Sequence, residues 1–342
     1  MSSPNPMPVK SQVVVHADAG PEEGWGHLRE SLQVAKGLRI GGANCLLVLP
    51  SEAPLAAEEA KAEGFDVVKI PALDWQTDDR PVKFARLLET VRATHVVCDL
   101  VSVSERYASA VATACDAWAV ITELREDERG DVNFNVGQSP EFMPLDRVYR
   151  SAAARVTRES VRRILISYGG SDPRNVTAQT LELLRPAFAA KTLPPAIEVL
   201  AVLGPLFDHA DAVRTIAAAY PVPVGVIGPL VPAEMALTVA GSDIAVTTAG
   251  GTMYEFCALG LPCIVVPDQA KQIANARVLA DRGAVVATSS VATLGGDELA
   301  GALHGLLSFE VRKKLSARAQ REIDGRGAER IANRLIVEWG IR

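Results

Sequence analysis

An α/β protein with two doubly wound parallel sheets is the fold class that this 342-residue sequence predicts. Three observations predict it. Short, β-branched apolar runs recur along the chain and are continuous rather than alternating, the pattern of strands buried on both faces. Helical segments with a single apolar stripe lie between them. The chain also opens twice in the same way, with a strand, a small-residue loop and a helix. A chain this long exceeds one comfortable core and suits two domains.

In the first half the strands read as Gln12–Ala17, Asn44–Leu49, Val67–Ile70, His95–Cys98, Trp118–Ile121 and Asn133–Val136. In the second they read as Arg163–Ser167, Glu198–Leu203, Pro223–Ile227, Ile244–Thr247, Cys263–Val266 and Val285–Ala287. The helices between carry stripes such as Leu28, Leu32, Ala35 and Leu38, spaced by four, three and three. Val13–Ala17 leads through a Gly-containing loop to a helix at His27, and Ile164–Ser167 leads through Gly169-Gly170-Ser171-Asp172-Pro173 to another. The charged stretch Arg150–Arg162 lacks a strand signal and separates two Rossmann-like domains, 1–152 and 153–327. The remaining 328–342 forms a helix, amphipathic through Ile331, Leu335, Ile336 and Trp339, expected to return to the first domain. Ligands in open α/β sheets sit outside the carboxyl ends of the strands, so the expectation is two domains facing a central cleft.

Composition narrows the function classes. With 48% hydrophobic and 22% charged residues the chain is an ordinary globular one. A formal charge of −6, without a basic run interleaved with aromatics, argues against nucleic acid as a partner. No apolar stretch reaches the ~18 residues of a membrane span. The Pro- and Ser-rich start, Met1 to Lys10, does not read as a leader, so a cytoplasmic location is expected. The five cysteines form no Cys-x-x-Cys pair, and Cys45, Cys98 and Cys263 fall inside apolar runs, as reduced core residues do. No histidine pair has metal-ligand spacing, and neither a metal nor another cofactor is expected. Oligomeric state is not legible.

Thr247-Thr248-Ala249-Gly250-Gly251-Thr252-Met253-Tyr254-Glu255 is the most informative stretch. A buried strand ends in a small-residue turn, and a helix then opens with its first N–H groups pointing out of the turn, which suits an anion. Glu255 falls about one turn into that helix, where a carboxylate accepts hydrogen bonds from a vicinal diol. The plainer alternative is a small-residue helix start with Glu255 stabilised by the helix dipole. Gly169, Gly170 and Ser171 form a second such turn, whose N–H groups suit a phosphate or a sugar; Asp172 reads as the N-cap and Pro173 as the first helical residue.

In the first half, Gly24-Trp25-Gly26-His27 follows the first strand and opens a helix. Gly24 and Gly26 let backbone approach a ligand closely, and an imidazole at a helix N-terminus has its charged form disfavoured, which suits a general base. His27 is the candidate base, the alternative being a plain helix-capping role. Asp99, closing the strand that begins at His95, is placed to orient His27 or to bind a sugar hydroxyl, unless it is only a turn former. His16 and His95 read as core or strand-end residues, and His209 and His304 as solvated ones.

These motifs, with Gly260-Leu261-Pro262 and Gln272-x-x-Asn275, resemble the UDP-2,4-diacetamido-2,4,6-trideoxy-β-L-altropyranose hydrolase of pseudaminic acid synthesis. That family is similar in turn to the UDP-N-acetylglucosamine transferase that makes lipid II, and both have the GT-B fold. The resemblance spans most of the chain in order and is stronger in the second half. It implies a UDP-sugar substrate, with Gly250, Gly251 and Thr252 on the pyrophosphate, Glu255 on the ribose, Gln272 and Asn275 on the sugar, and the Ile227–Met235 loop beside uracil. It further implies that His27 activates water for an inverting attack on the anomeric carbon, with release of UDP. The family's pattern carries Arg three residues after this His; here Arg29 comes two after it and Glu30 three after. Two alternatives stay open: a GT-B glycosyltransferase that uses the same site with a hydroxyl acceptor, and an inactive relative that only binds nucleotide sugars.

Overall fold

The computed structural model describes residues 11–20, 25–71, 80–151 and 155–341. The chain divides into unit 1, Met1–Pro144 with Gly327–Arg342, and unit 2, Leu145–Arg326. Unit 1 runs β1 (Gln12–Ala17), α1 (Gly26–Ile40), β2 (Asn44–Pro50), α2 (Pro54–Ala62), β3 (Asp66–Ile70), α3 (Arg80–Thr90), β4 (His95–Asp99), α4 (Glu105–Ala114), β5 (Ala117–Thr122) and β6 (Val132–Asn135). Unit 2 runs α5 (Arg147–Ser151), β7 (Arg163–Ser167), α6 (Val176–Ala189), β8 (Glu198–Val202), α7 (Ala210–Ala218), β9 (Val224–Ile227), α8 (Pro232–Ala240), β10 (Ile244–Thr247), α9 (Gly251–Ala258), β11 (Cys263–Val265), α10 (Ala270–Asp281), β12 (Val286–Ala287), α11 (Gly296–Gly305) and α12 (Phe309–Glu322). The last helix, α13 (Gly327–Glu338), belongs to unit 1.

Each unit holds one six-stranded parallel sheet, ordered β3-β2-β1-β4-β5-β6 and β12-β11-β10-β7-β8-β9. The two orders are equivalent: each sheet grows outward from its first strand in one direction and then, from its fourth, in the other. Val13 to Ala17 on β1 and all of β4 are buried, because helices cover both faces of the sheet centre. The edge strand β9 is half-buried at Val224 and Val226 and exposed at Gly225 and Ile227. Among the described residues no helix is long and apolar enough to cross a membrane.

The helix α13 lies against α1. A side chain at Gly37 would place its Cβ 2.6 Å from that of Ala332, so glycine sets how closely the two helices approach. Trp339, just after α13, lays its ring on His95 with centroids 4.6 Å apart.

The division between units falls at Pro144/Leu145 rather than in the stretch around Arg150–Arg162, and that charged stretch is no loose linker. Arg155 donates to the carbonyls of Ser242, Gly260 and Asp243 at 3.0, 3.0 and 3.2 Å, and burial lowers its pKa to about 10. Arg158 reaches the Asp243 carboxylate at 3.0 Å, which also accepts from the backbone N–H groups of Arg162 and Arg163. The fully buried Arg312 on α12 donates to the carbonyls of Arg158 and Glu159. These arginines supply donors to backbone carbonyls of Ser242, Asp243, Gly260, Arg158 and Glu159 and so tie the segment 155–163 to the rest of unit 2.

A polar chain crosses the core of unit 1. His16 Nδ1 lies 2.9 Å from Tyr107 Oη, which in turn lies 2.8 Å from Cys98 Sγ, beneath the ring of Phe84. Burial lowers the His16 pKa from 6.5 to about 3. The buried imidazole therefore stays neutral at neutral pH and shares this contact with the phenol as an uncharged group. Unfolded His16 takes up a proton near pH 6.5, whereas folded His16 does so only near pH 3. Between these values the unfolded state binds more protons, so stability is complete above 6.5 and falls as the pH drops toward 3. His16→Gln should flatten this acid limb by up to about 1.4 kcal/mol per pH unit, read from urea midpoints between about pH 4 and 7. Equal slopes in both proteins would contradict the assignment.

Candidate functional site

In unit 2 the sheet order reverses between β7 and β10, so the loops leaving their carboxyl ends diverge and open a crevice of the kind that holds ligands in doubly wound folds. The loop after β10 is Thr248-Ala249-Gly250, and α9 begins at Gly251 with no side chain capping its N-terminus and no acid in its first turn. Gly250 has φ −114° and ψ −168°, extended backbone open to any residue. A Cβ there would meet nothing nearer than Thr248 Cγ2 at 4.0 Å. The turn therefore does not require glycine sterically, as its sequence suggests; glycine leaves open space above the first N–H groups of α9.

The loop after β7 comes to the same place. Gly169 has φ +85°, a left-handed conformation that favours glycine, and a Cβ built on it would lie 3.7 Å from Thr252 Oγ1. Two small-residue turns that are distant in sequence thus meet at the switch point. A third segment supports them: Leu206 N donates to Gly170 O at 2.9 Å, and a side chain at Gly204 would collide with the carbonyl oxygens of Gly169 and Gly170. Ser171 is half-buried in the same turn.

Asp172 does not open the helix. It stands at φ +40° and accepts from Val176 N, Thr177 N and Thr177 Oγ1 at 2.7, 2.9 and 2.7 Å; burial raises its pKa, and these hydrogen bonds oppose the rise. The N-cap is Asn175, so α6 starts three residues later than the Pro173 reading expects. The turn so formed carries Arg174 outward, where its guanidinium meets Asp268 Oδ1 at 2.7 Å.

Around this crevice, Glu255 is half-buried on the second turn of α9. Gln272 on α10 uses its carbonyl oxygen twice, accepting from Thr248 Oγ1 at 2.6 Å and Asp268 N at 2.7 Å. Those bonds point its amide nitrogen away from its own loop as a donor. Asn275 is only 2% exposed and lies with Ala276 and Leu279 on the buried side of α10. Met235 is half-buried on the helix α8 rather than in a loop, with Ile227 and Val231 exposed ahead of it.

Unit 1 has the equivalent switch point between β1 and β4. His27 is the second residue of α1, and its Nδ1 lies 2.6 Å from Oδ1 of Asp99, the last residue of β4. Asp99 is 2% exposed, and its Oδ2 accepts from Ser31 Oγ at 3.2 Å. A carboxylate oxygen accepts, so Nδ1 is the donor in this contact and Nε2 is the ring nitrogen turned away from Asp99. The loops on either side are tied together, Asp18 N to Asp99 O at 3.2 Å and Val101 N to Asp18 Oδ2 at 2.8 Å.

Gly26 is exposed, and a Cβ on it would lie 3.8 Å from Glu30 Oε1 among the described residues. Gly24 lies outside the described residues. His27, Glu30 and Asp99 bring donor atoms within 4.8 Å of one another. Within this cluster His27 Nδ1 and Asp99 Oδ1 already share a hydrogen bond.

Ser31 follows His27 by four positions on the same helical face, a spacing visible in the sequence. Asp18, Arg174 and Gly204 join the site only through contacts between distant segments. No local pattern marks them.

This architecture defines the GT-B fold of two Rossmann-like units. Residues 231–335 match the Glycosyltransferase family 28 C-terminal domain. Over 341 residues the chain is 25% identical to the spore coat polysaccharide biosynthesis protein SpsG of Bacillus subtilis (strain 168), covering 93% of this chain and 96% of that protein. Among solved structures it resembles MurG of Acinetobacter baumannii, with TM-score 0.70 and 16% identity over 96% of this chain and 100% of that one. It also resembles the glycosyltransferase SsfS6 of Streptomyces sp. SF2575 in complex with thymidine diphosphate, with TM-score 0.59 and 15% identity over 96% and 99%.

Proposed function

We propose that this protein is an enzyme that cleaves the anomeric C–O bond of a UDP-sugar. The observation that carries this reading is the meeting of the Gly169 turn with the uncapped start of α9 at the unit 2 switch point, with Glu255 one turn further on. The family 28 match covers α9 and Glu255, and a structural neighbour holds a nucleoside diphosphate, which supports the same ligand class here. In this reading the N–H groups of Gly250, Gly251 and Thr252, with those of Gly170 and Ser171, hold the diphosphate. Arg174 exchanges Asp268 for a phosphate oxygen. Glu255 accepts from the ribose hydroxyls, the Gln272 amide nitrogen donates to the sugar, and Met235 flanks the base with Ile227 and Val231.

Unit 1 supplies the base. His27 Nε2 takes a proton from water as the water oxygen bonds to the anomeric carbon. The C–O bond breaks with its electron pair passing to the diphosphate oxygen, UDP leaves and the anomeric configuration inverts. Asp99 holds the imidazole in the needed tautomer and stabilises the imidazolium that forms. UDP-2,4-diacetamido-2,4,6-trideoxy-β-L-altropyranose is the first substrate to test, on the resemblance in sequence. Transfer to a hydroxyl acceptor by the same residues is the second reading, favoured by the relative named for polysaccharide biosynthesis.

Incubation with UDP-sugars in ¹⁸O-labelled water separates the readings. Hydrolysis predicts UDP release without any acceptor and one ¹⁸O in the freed sugar. Release that requires an added hydroxyl compound, with no label incorporated, would establish transfer instead. No release in either case would point to the inactive relative.

A further inference from the structure

We propose that Arg174 and Asp268 form an exchangeable clasp over the unit 2 crevice, in which the Asp268 carboxylate competes with a nucleoside diphosphate for the Arg174 guanidinium. The proposal deepens the reading of this crevice as the diphosphate site and rests on it. Arg174 lies in the loop after β7, Asp268 lies in the loop after β11, and the two side chains meet at 2.7 Å. In the sheet, β10 stands between β7 and β11. The pair therefore spans the carboxyl end of β10, where the loop to α9 begins.

Both partners are held in place. Arg174 lies between Asp172 and Asn175, which stand at φ +40° and +50° in left-handed backbone, a costly conformation that the surrounding bonds enforce. The Asp172 carboxylate accepts from Val176 N and Thr177 N, Asn175 Oδ1 accepts from Ala178 N at 3.2 Å, and Gln179 Nε2 donates to the Arg174 carbonyl at 2.8 Å. This turn fixes the backbone of Arg174 and leaves its side chain 59% exposed. Across the crevice, Asp268 N and Thr248 Oγ1 both donate to Gln272 Oε1, which ties the Asp268 loop to the loop before α9. The Asp268 side chain is only 14% exposed. The guanidinium is thus the movable half of the clasp.

Relative strengths decide which anion holds it. An ion pair with one partner so exposed is weak, because water and salt screen it and ordering the long side chain costs entropy. A diphosphate brings more charge than a carboxylate and several oxygens for the planar guanidinium fork. It takes the guanidinium from Asp268 on binding. After the sugar is cleaved, UDP still carries the diphosphate and keeps those contacts, and the carboxylate beside it reclaims Arg174 as UDP leaves. Asp268 therefore weakens nucleotide binding and speeds product release.

The test uses the full chain and UDP. Affinity is measured by calorimetry in wild type, Asp268→Asn, Arg174→Gln and the double variant, and the Arg174 guanidinium ¹⁵N resonances, assigned by their loss in Arg174→Gln, are followed through the same titration. The expected result is a saturable shift of these resonances with UDP, binding about 2- to 5-fold tighter in Asp268→Asn, and a smaller gain from that change when Arg174 is already Gln. UDP bound by wild type without a shift of Arg174 would overturn the clasp and leave the diphosphate site standing. So would an equal gain in both backgrounds, which marks simple charge repulsion, or weaker binding in Asp268→Asn, which marks a pair that only holds two loops together. No binding of UDP by any of the four proteins would overturn the reading of the crevice itself, and the clasp with it. Asn is isosteric with Asp and Arg174 is exposed, so the variants are expected to fold.

Discussion

His27→Ala should lower turnover by about 10²- to 10⁴-fold while leaving UDP affinity nearly unchanged. The size follows from losing a positioned base whose tautomer is set in advance. Asp99 is buried, so its hold on Nδ1 at 2.6 Å is shielded from competing water, and Ser31 fixes the other carboxylate oxygen. The unchanged affinity follows from the proposed diphosphate cradle, whose described hydrogen bonds, Leu206 N to Gly170 O and Thr248 Oγ1 and Asp268 N to Gln272 Oε1, all lie within unit 2. Asp99→Asn should show the same split with a smaller loss, because an amide still contacts the ring but does not stabilise the imidazolium. Steady-state kinetics with a parallel UDP titration measures both quantities. Loss of affinity and turnover together in His27→Ala would mean that His27 binds substrate rather than acting as the base.

Glu255→Ala should do the reverse. A carboxylate accepting hydrogen bonds from two ribose hydroxyls contributes about 1.5–3 kcal/mol per charged hydrogen bond, so UDP affinity should fall by about 10-fold or more. Turnover at saturating substrate should change much less. Glu255 is half-buried on the second turn of α9, where alanine is a good helix former, so the fold should survive the change. An unchanged UDP affinity in this variant would remove the ribose assignment.

Much of this arrangement is visible in the sequence because it is local. The buried strands at the sheet centres are continuous apolar runs, and the loops that follow β7 and β10 carry their glycines within a few positions of a strand end. Other features depend on contacts that no local pattern records. The collision that keeps Gly204 a glycine involves the backbone of Gly169 and Gly170, and the arginines of the Arg150–Arg162 stretch meet carbonyls more than eighty positions away. The late start of α6 depends on Asn175 at φ +50°, a left-handed conformation that asparagine tolerates better than most residues. The depth of Asn275 is legible as well: Ala276 and Leu279 mark the buried stripe of α10, and Asn275 adjoins it.

The most direct test of the central claim is calorimetric titration of the purified chain with UDP, set beside CDP, dTDP, GDP and ADP. The account predicts saturable one-to-one binding of UDP, weaker binding of the others, and a large loss of UDP affinity in Glu255→Ala. Absence of binding by all five, or UDP binding that Glu255→Ala leaves intact, would contradict it.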